Sequence, residues 1–411
     1  MNDLLGKKLL VLGGTLSTYD VVRTAKEMGI YVVVTDYLKE GISKQEADET
    51  AYVSTNDMEK LEKLIEDKGI SGVFTGASEF NIRNMIMLCS RTGLPCYLNL
   101  EQWDTFSNKR KFKEICKKYN IPVVPEYDLD NEGETHLVYP VIVKPEDSYS
   151  GHGISICSNK KEFDAAEKKK KKWSKIGKVI IEKYVEGNNV EVYYLIQNGK
   201  IMLLTASDRY TDNNQNGSPV PTAFYHPSKF LDEYMKTTHP KVCRMFEDIG
   251  VRNGVFFMES FLVNGTFMFY EMGFRLNATM EYHFVEHFNG FSPLKMMIRY
   301  ALTGDMGADQ EKNNNPHFSG KACEIALLLR PGTIHTVDGM DIIKSKDSVI
   351  HCIQFYEEGD CLEETGSLDQ NFARIKVVAK TEEELEKEIE EIYRIISVKD
   401  TKGNEMLIKS R

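Results

Sequence analysis

Two glutamates carry the strongest chemical signal in this chain. Glu259 and Glu271 lie in GVFFMESFLVNGTFMFYEMGFR, Gly254 to Arg275, which reads as two apolar strands joined by Asn264-Gly265. A carboxylate placed mid-strand among Phe, Met, Val and Tyr is costly unless something compensates it. Two that face each other call for a divalent cation, Mg²⁺ or Mn²⁺. Arg275 follows Glu271 by four residues, so Glu271, Gly273 and Arg275 fall on one strand face. That face would hold a metal ligand, a bare backbone position and a fixed cation, an arrangement suited to a nucleoside triphosphate with its metal. A strict two-residue turn pairs Glu259 with Tyr270 and sends the two glutamates to opposite faces. The chemistry therefore predicts an odd loop or a bulge. The alternative, a surface hairpin with two solvated acids, is opposed by apolar flanks on both faces.

Three further segments could contribute. Lys144 closes the apolar run YPVIVKP, and a lysine ending a buried strand needs an anion to meet it. The loop SYSGHG follows, with Ser148, Ser150, Gly151 and Gly153, whose backbone can approach phosphates. It is not a Walker A loop, and taken alone it reads as an ordinary turn. VIIEKYVEG runs from an apolar strand into Glu182, Lys183, Tyr184 and Val185. Such a segment can offer backbone groups to an adenine edge, with Glu182 taking the exocyclic amine. It reads equally as a strand edge with alternating charges. Glu191 could accept ribose hydroxyls.

These residues need elements to position them. The first hundred or so residues alternate strand and helix, which suggests a parallel sheet. Gly13-Gly14 and Asp36 resemble a dinucleotide site, but Thr15 and Thr18 stand where G-x-G-x-x-G requires glycines. A Rossmann-like sheet without a dinucleotide is the better reading, its loops near Gly14, Thr15, Asp36 and Glu79 free to line a cleft. SNKRKFKEICKKYNIP reads as a helix stopped before Pro122. The strands VEVYYLIQ and KIMLLTASDRY follow, then a polar loop, TDNNQNGSPVPT, then the glutamate hairpin and a helix from about Ala278. NNNP at 313–316 looks like a domain boundary. Beyond it lie several strands and an acidic helix with Leu385, Ile389, Ile392, Ile395 and Ile396 on one face, a packing or dimer-supporting region.

Composition narrows the function. At 411 residues two or three domains are expected. The net charge of −10 gives no support to nucleic-acid binding, and KKKKK at Lys168 to Lys172 reads as a solvated helix face. No apolar run reaches the length of a membrane span, and MNDLLGKKLLVLGG lacks a signal-peptide cleavage pattern. Eight cysteines without a C-x-x-C pair suit reduced thiols in the cytoplasm.

In this order and spacing, the segments from about Asn108 to Met306 resemble the ATP-grasp superfamily, in which two α+β subdomains hold ATP between them. Its members include carboxylate–amine ligases, the biotin carboxylase group and the halves of carbamoyl-phosphate synthase. The match runs through Lys109 in SNKRKF, Lys144 in VIVKP, SYSGHG, EKYVEG, Glu191, Glu259 and the E-x-x-x-R of Glu271 and Arg275. The resemblance implies a mixed α/β and α+β fold. Its parts would be a Rossmann-like domain preceding the ATP-grasp module (1–106), the module itself (107–317, with a small mobile subdomain at 139–187) and a C-terminal α+β domain (318–411).

It further implies that Lys109 and Lys144 bind phosphates, and that Ser148, Ser150, Gly151 and Gly153 close over them. Glu182, Lys183 and Val185 would meet the adenine and Glu191 the ribose. Glu259 and Glu271 would hold Mg²⁺, and Arg275 and Arg209 would face the phosphoryl group or substrate. The family pattern E-x-N-x-R carries Gly273 in place of Asn here, and Asn277 could substitute if the chain stays extended. His283, Glu286 and His287 spell H-x-x-E-H, an inverted zinc-protease motif. No distal acid is evident as a third ligand, so pocket or packing histidines are the better reading.

The implied activity is an ATP-dependent ligation of a small carboxylate to an amine, with no nucleic acid or membrane partner and room for a homodimer. A bicarbonate-phosphorylating enzyme and a non-catalytic ATP-binding scaffold are the alternatives.

Overall fold

The computed structural model describes residues 2–128, 136–146, 153–173, 177–212, 220–363 and 368–408. Three layers of sheet position the site, and each follows from its own hydrophobic pattern.

The first is a parallel sheet in the spatial order Glu49–Ala51, Tyr31–Thr35, Lys8–Leu12, Gly72–Phe74. Leu9 to Leu12 are wholly buried, as a strand covered on both faces must be. The helices Met58–Lys68 and Glu79–Thr92 are capped by Asp57 and Ser78 and end at Gly69 and Gly93 in the left-handed conformation. At the strand ends the chain fills its own crevice. Asp36 accepts the Gly14 backbone N–H at 2.9 Å and that of Leu38 at 2.9 Å. A Cβ on Gly76 would lie 1.7 Å from the Ser17 carbonyl oxygen. The helix Pro293–Thr303 docks this sheet onto the rest of the molecule. It approaches so closely that a Cβ on Gly72 would meet the Ala301 carbonyl oxygen at 2.1 Å.

The second is a small antiparallel sheet of Ser155–Cys157, Val141–Pro145 and Val179–Lys183. The helix Lys160–Trp173 lays Phe163 and Ala166 against Val141, Val143 and Ile181, a core separate from the main one. Lys161 and Lys168 of that helix are exposed.

The third is a nine-stranded sheet. It runs Thr266–Gly273, Gly254–Val263, Asn188–Gln197, Lys200–Asp212, Val220–His226, Lys321–Leu329, Asn371–Ala379, Val349–Gln354, with Leu407–Ile408 beside the Lys321–Leu329 strand. Hydrogen bonding continues from Val220–His226 directly into Lys321–Leu329, so one sheet passes through both sides of residue 317. The acidic helix Glu382–Ile395 starts with a Thr381–Glu384 capping box and buries Leu385, Ile389 and Ile392 against this sheet. Of the polar loop anticipated over 211–222, residues 213–219 lie outside the described residues, while Thr211 and Asp212 end one strand and Val220 to Thr222 begin the next. The helix expected from about Ala278 begins later, at Tyr282, after a turn closed by the Met280 N–H on the Asn277 carbonyl. Among the described residues no helix is long and apolar enough to cross a membrane.

Candidate active site

The glutamate hairpin contains the expected irregularity. Glu259 pairs with Glu271, while the next residue, Ser260, pairs with Phe269. Tyr270 is therefore the extra residue of a bulge, and directly opposed residues of antiparallel strands share a face. The neighbouring strand extends the row, because Glu191 pairs with Glu259. Three carboxylates thus stand side by side on three adjacent strands. Their other face is shut by aromatic packing. Phe256 stacks on Phe246 at 4.0 Å between ring centroids, and Phe274 lies against Phe106 at 5.3 Å.

Two arginines flank the row. Arg209 sits on the same face, opposite Asn189, and its Nη1 is 2.8 Å from Glu259 Oε2. Tyr270 uses the bulge to donate its hydroxyl to the same oxygen at 2.6 Å. Arg275, just past the strand end, lies with its guanidinium 4.9 Å from the Phe257 ring centroid and 3.6 Å from Glu79. Burial raises the Glu79 carboxyl pKa, with Arg275 pulling the other way. Glu191 is fully buried, and burial together with the Glu259 charge pushes its carboxyl up to about 8. One of its oxygens accepts from Asn277 Nδ2, and the other is buried without a partner. Asn277 reaches the row from a turn rather than from an extended strand. Gly273 is opposite Phe257, and a Cβ there would lie 2.4 Å from that ring. The space of the missing asparagine is occupied by an aromatic edge.

The second group centres on Glu182. Its Oε1 lies 2.6 Å from Lys144 Nζ and also binds Lys113 Nζ, and all three side chains are buried. Lys113 Nζ further donates to the Val124 carbonyl at 3.0 Å and pairs with Glu126 at 2.8 Å. Lys144 and Glu182, expected on different parts of the nucleotide, are partners here. Lys113 was missed, although its position one turn after Lys109 on a helix was a signal. Lys109 lines a small cavity with Glu79, Ser107, Phe112 and Glu271. The helix Lys109–Lys118 thus presents Lys109 to the carboxylate row and Lys113 to Glu182, about 6 Å apart along its axis.

Other expected residues are less engaged. Lys183 is exposed, and Val185 half-buried, beyond the strand end. Gly153 has a left-handed φ of 79°, while Ser148, Ser150 and Gly151 lie outside the described residues. His287 does not join His283. It packs edge-on against Phe288, and Glu286 pairs with Lys295 at 2.5 Å. A cavity of about 400 Å³ lies on the reverse face, between Tyr210, Tyr225 and Leu385, and none of the expected site residues lines it.

The donors around the row are all oxygens, and one buried carboxylate oxygen lacks a partner, which fits a hard divalent cation such as Mg²⁺.

The chain resembles known proteins in part of its sequence and in its fold. The ATP-grasp domain family matches residues 137–279. The structure resembles phosphoribosylglycinamide synthetase from Anaerococcus prevotii at TM-score 0.76 and 20% identity, over 96% of this chain and 100% of that one. It resembles L-amino acid ligase from Bacillus licheniformis at TM-score 0.80 and 16% identity, over 96% and 99%. It also resembles the biotin carboxylase domain of 2-oxoglutarate carboxylase from Hydrogenobacter thermophilus, solved with MgADP and bicarbonate, at TM-score 0.77 and 19% identity, over 97% and 91%. Residues 137–279 thus match the ATP-grasp domain family, and the whole chain shares the mixed α/β and α+β fold of these solved structures.

Proposed function

We propose that this protein is a cytoplasmic ATP-dependent ligase that joins a small carboxylate to an amine and releases ADP and phosphate. The observation that carries the reading is the row Glu191–Glu259–Glu271 on one face, flanked by Arg209 and Arg275. A carboxylate oxygen of the substrate attacks the γ-phosphorus in line, and the bond from that phosphorus to the bridging oxygen of ADP breaks. The amine nitrogen then attacks the acyl carbon, phosphate leaves with the electron pair of the C–O bond, and the nitrogen loses a proton. Glu259 and Glu271 would hold the Mg²⁺, or Mn²⁺, that neutralises phosphate charge. Lys109 and Lys144 would bind phosphate oxygens, and Glu182, Lys183 and Val185 would meet the adenine. The chain's part is positioning and charge placement, and it needs no protein nucleophile.

Arg275 meets the charge that develops during transfer. Arg275→Ala should leave ATP binding largely intact and abolish substrate-dependent ADP formation, measured at saturating ATP over paired carboxylates and amines. Equal turnover by wild type and variant would remove Arg275 from the mechanism. A second reading, a non-catalytic ATP-binding scaffold, rests on Gly273 and the Phe257 ring that fills the usual asparagine's place. Nucleotide binding without ADP release for any carboxylate–amine pair would favour it. Release that depends on bicarbonate alone would point to carboxyphosphate chemistry.

A further inference from the structure

Away from the carboxylate row, three residues from distant parts of the chain converge. Asp20 comes from the first turn of the helix Tyr19–Glu27, His283 from the helix Tyr282–Asn289, and His351 from the strand Val349–Gln354. His283 Nε2 is 2.7 Å from Asp20 Oδ2, and His351 Nε2 is 3.3 Å from Asp20 Oδ1. The two imidazoles stack at 3.9 Å between centroids, 26° apart, so both nitrogens reach the same carboxylate. All three donor atoms lie within 4.8 Å of one another. We propose that Asp20, His283 and His351 bind one divalent metal ion of the zinc type, at a site separate from the nucleotide's Mg²⁺.

The donor chemistry sets the class of ion. Two imidazole nitrogens and one carboxylate oxygen suit Zn²⁺, whereas Mg²⁺ favours oxygen donors alone. With bonds of about 2.0–2.1 Å, tetrahedral donors stand roughly 3.4 Å apart. The observed separations of 2.7 and 3.3 Å need only a small opening to admit the ion. A fourth position is left for water or a ligand, beside the Tyr282 hydroxyl, which donates to Asp20 Oδ2 at 3.1 Å. The proton shared between His283 Nε2 and Asp20 Oδ2 is the one that the ion would displace on binding. Lys376, the cation whose charge reaches His283, is itself held by Glu324 and the Thr279 carbonyl. The ion would clasp the first layer, the helix after the hairpin and the C-terminal strands together. His283 is the first histidine of the H-x-x-E-H sequence, but the residues that complete the set are Asp20 and His351 rather than Glu286 and His287.

The test uses the full chain, stripped with chelator and titrated with Zn²⁺ against a chromophoric chelator. One Zn²⁺ per chain should bind in the presence of excess Mg²⁺. His351→Gln, and separately His283→Gln, should each weaken binding by ~100-fold or more. Zn²⁺ should raise the melting temperature of the wild type but not of either variant. Co²⁺ at the same site should lack the thiolate charge-transfer band, which separates it from binding at the free cysteines. Wild type that binds no stoichiometric Zn²⁺ would overturn the proposal, as would undiminished binding in a variant whose circular dichroism matches wild type. If one histidine variant does not fold, the other decides.

Discussion

Gly273 is where one residue records a choice made by another. Phe257 stands across the hairpin from it and holds the Arg275 guanidinium over its ring. Restoring the family's asparagine by Gly273→Asn would drive a Cβ into that ring, so we expect a loss of about 1–3 kcal/mol in urea unfolding. The double variant with Phe257→Ala should accept the asparagine, and full stability of the single variant would show that the ring yields freely. Lys113 makes a second residue-scale case. It is buried with Glu182 and Lys144, and its removal leaves the Val124 carbonyl and Glu126 without their donor. Lys113→Met should cost on the order of 3 kcal/mol and weaken ATP binding, read by denaturant titration and calorimetry. A variant as stable as wild type would reduce Lys113 to a spectator.

At the scale of elements, the bulge is the decisive device. It moves Glu271 onto the face of Glu259 and aims Tyr270 at the same carboxylate. Deleting Tyr270 should remove the bulge and restore plain pairing with Glu271 still opposite Glu259, while the Tyr270 hydroxyl is lost from that carboxylate. The expected result is a chain of native secondary structure that keeps Mg²⁺-dependent nucleotide binding, measured by calorimetry with and without the metal. Loss of that binding in a folded variant would mean that the shared face of the two glutamates is not enough and that the bulge or the Tyr270 hydroxyl sets the site. The helix Lys109–Lys118 is the other positioning element. Its Asn108 cap accepts the Arg110 and Lys111 backbone N–H groups, which sets where Lys109 and Lys113 fall on its surface.

Over the whole molecule, the nine-stranded sheet joins regions that are far apart in sequence, and His226 lies where they meet. It pairs with Ala322, stacks near Tyr193 at 5.5 Å and Phe284 at 5.1 Å, and is buried. Burial pushes its pKa down to about 3, with Lys376 adding to the effect. The folded state therefore keeps His226 neutral while the unfolded chain takes up a proton below about pH 6.5. Its contribution is full above that pH and is lost as pH falls toward 3, at about 1.4 kcal/mol per pH unit. His226→Gln should flatten the acid limb of stability against pH, measured by denaturant unfolding between pH 7 and about pH 4. An unchanged slope would exclude His226 as a source of acid lability.

Much of this was legible without a structure. Strand and helix alternation, the Asn-Gly hairpin and the need for a bulge follow from local patterns, because a period of two or 3.6 residues and a buried carboxylate are properties of short segments. The residues of the carboxylate row were readable too, since acids inside apolar strands must be compensated. That Glu191 joins Glu259 and Glu271 depends on which strand lies beside the hairpin, and pairing between distant strands leaves no local trace. Likewise Lys113 gains its meaning only from Glu182, and His283 only from Asp20 and His351, 263 and 331 positions from that aspartate. Charge partners that far apart are brought together by the packing of layers, so tertiary structure alone decided which of the chain's charged side chains face one another.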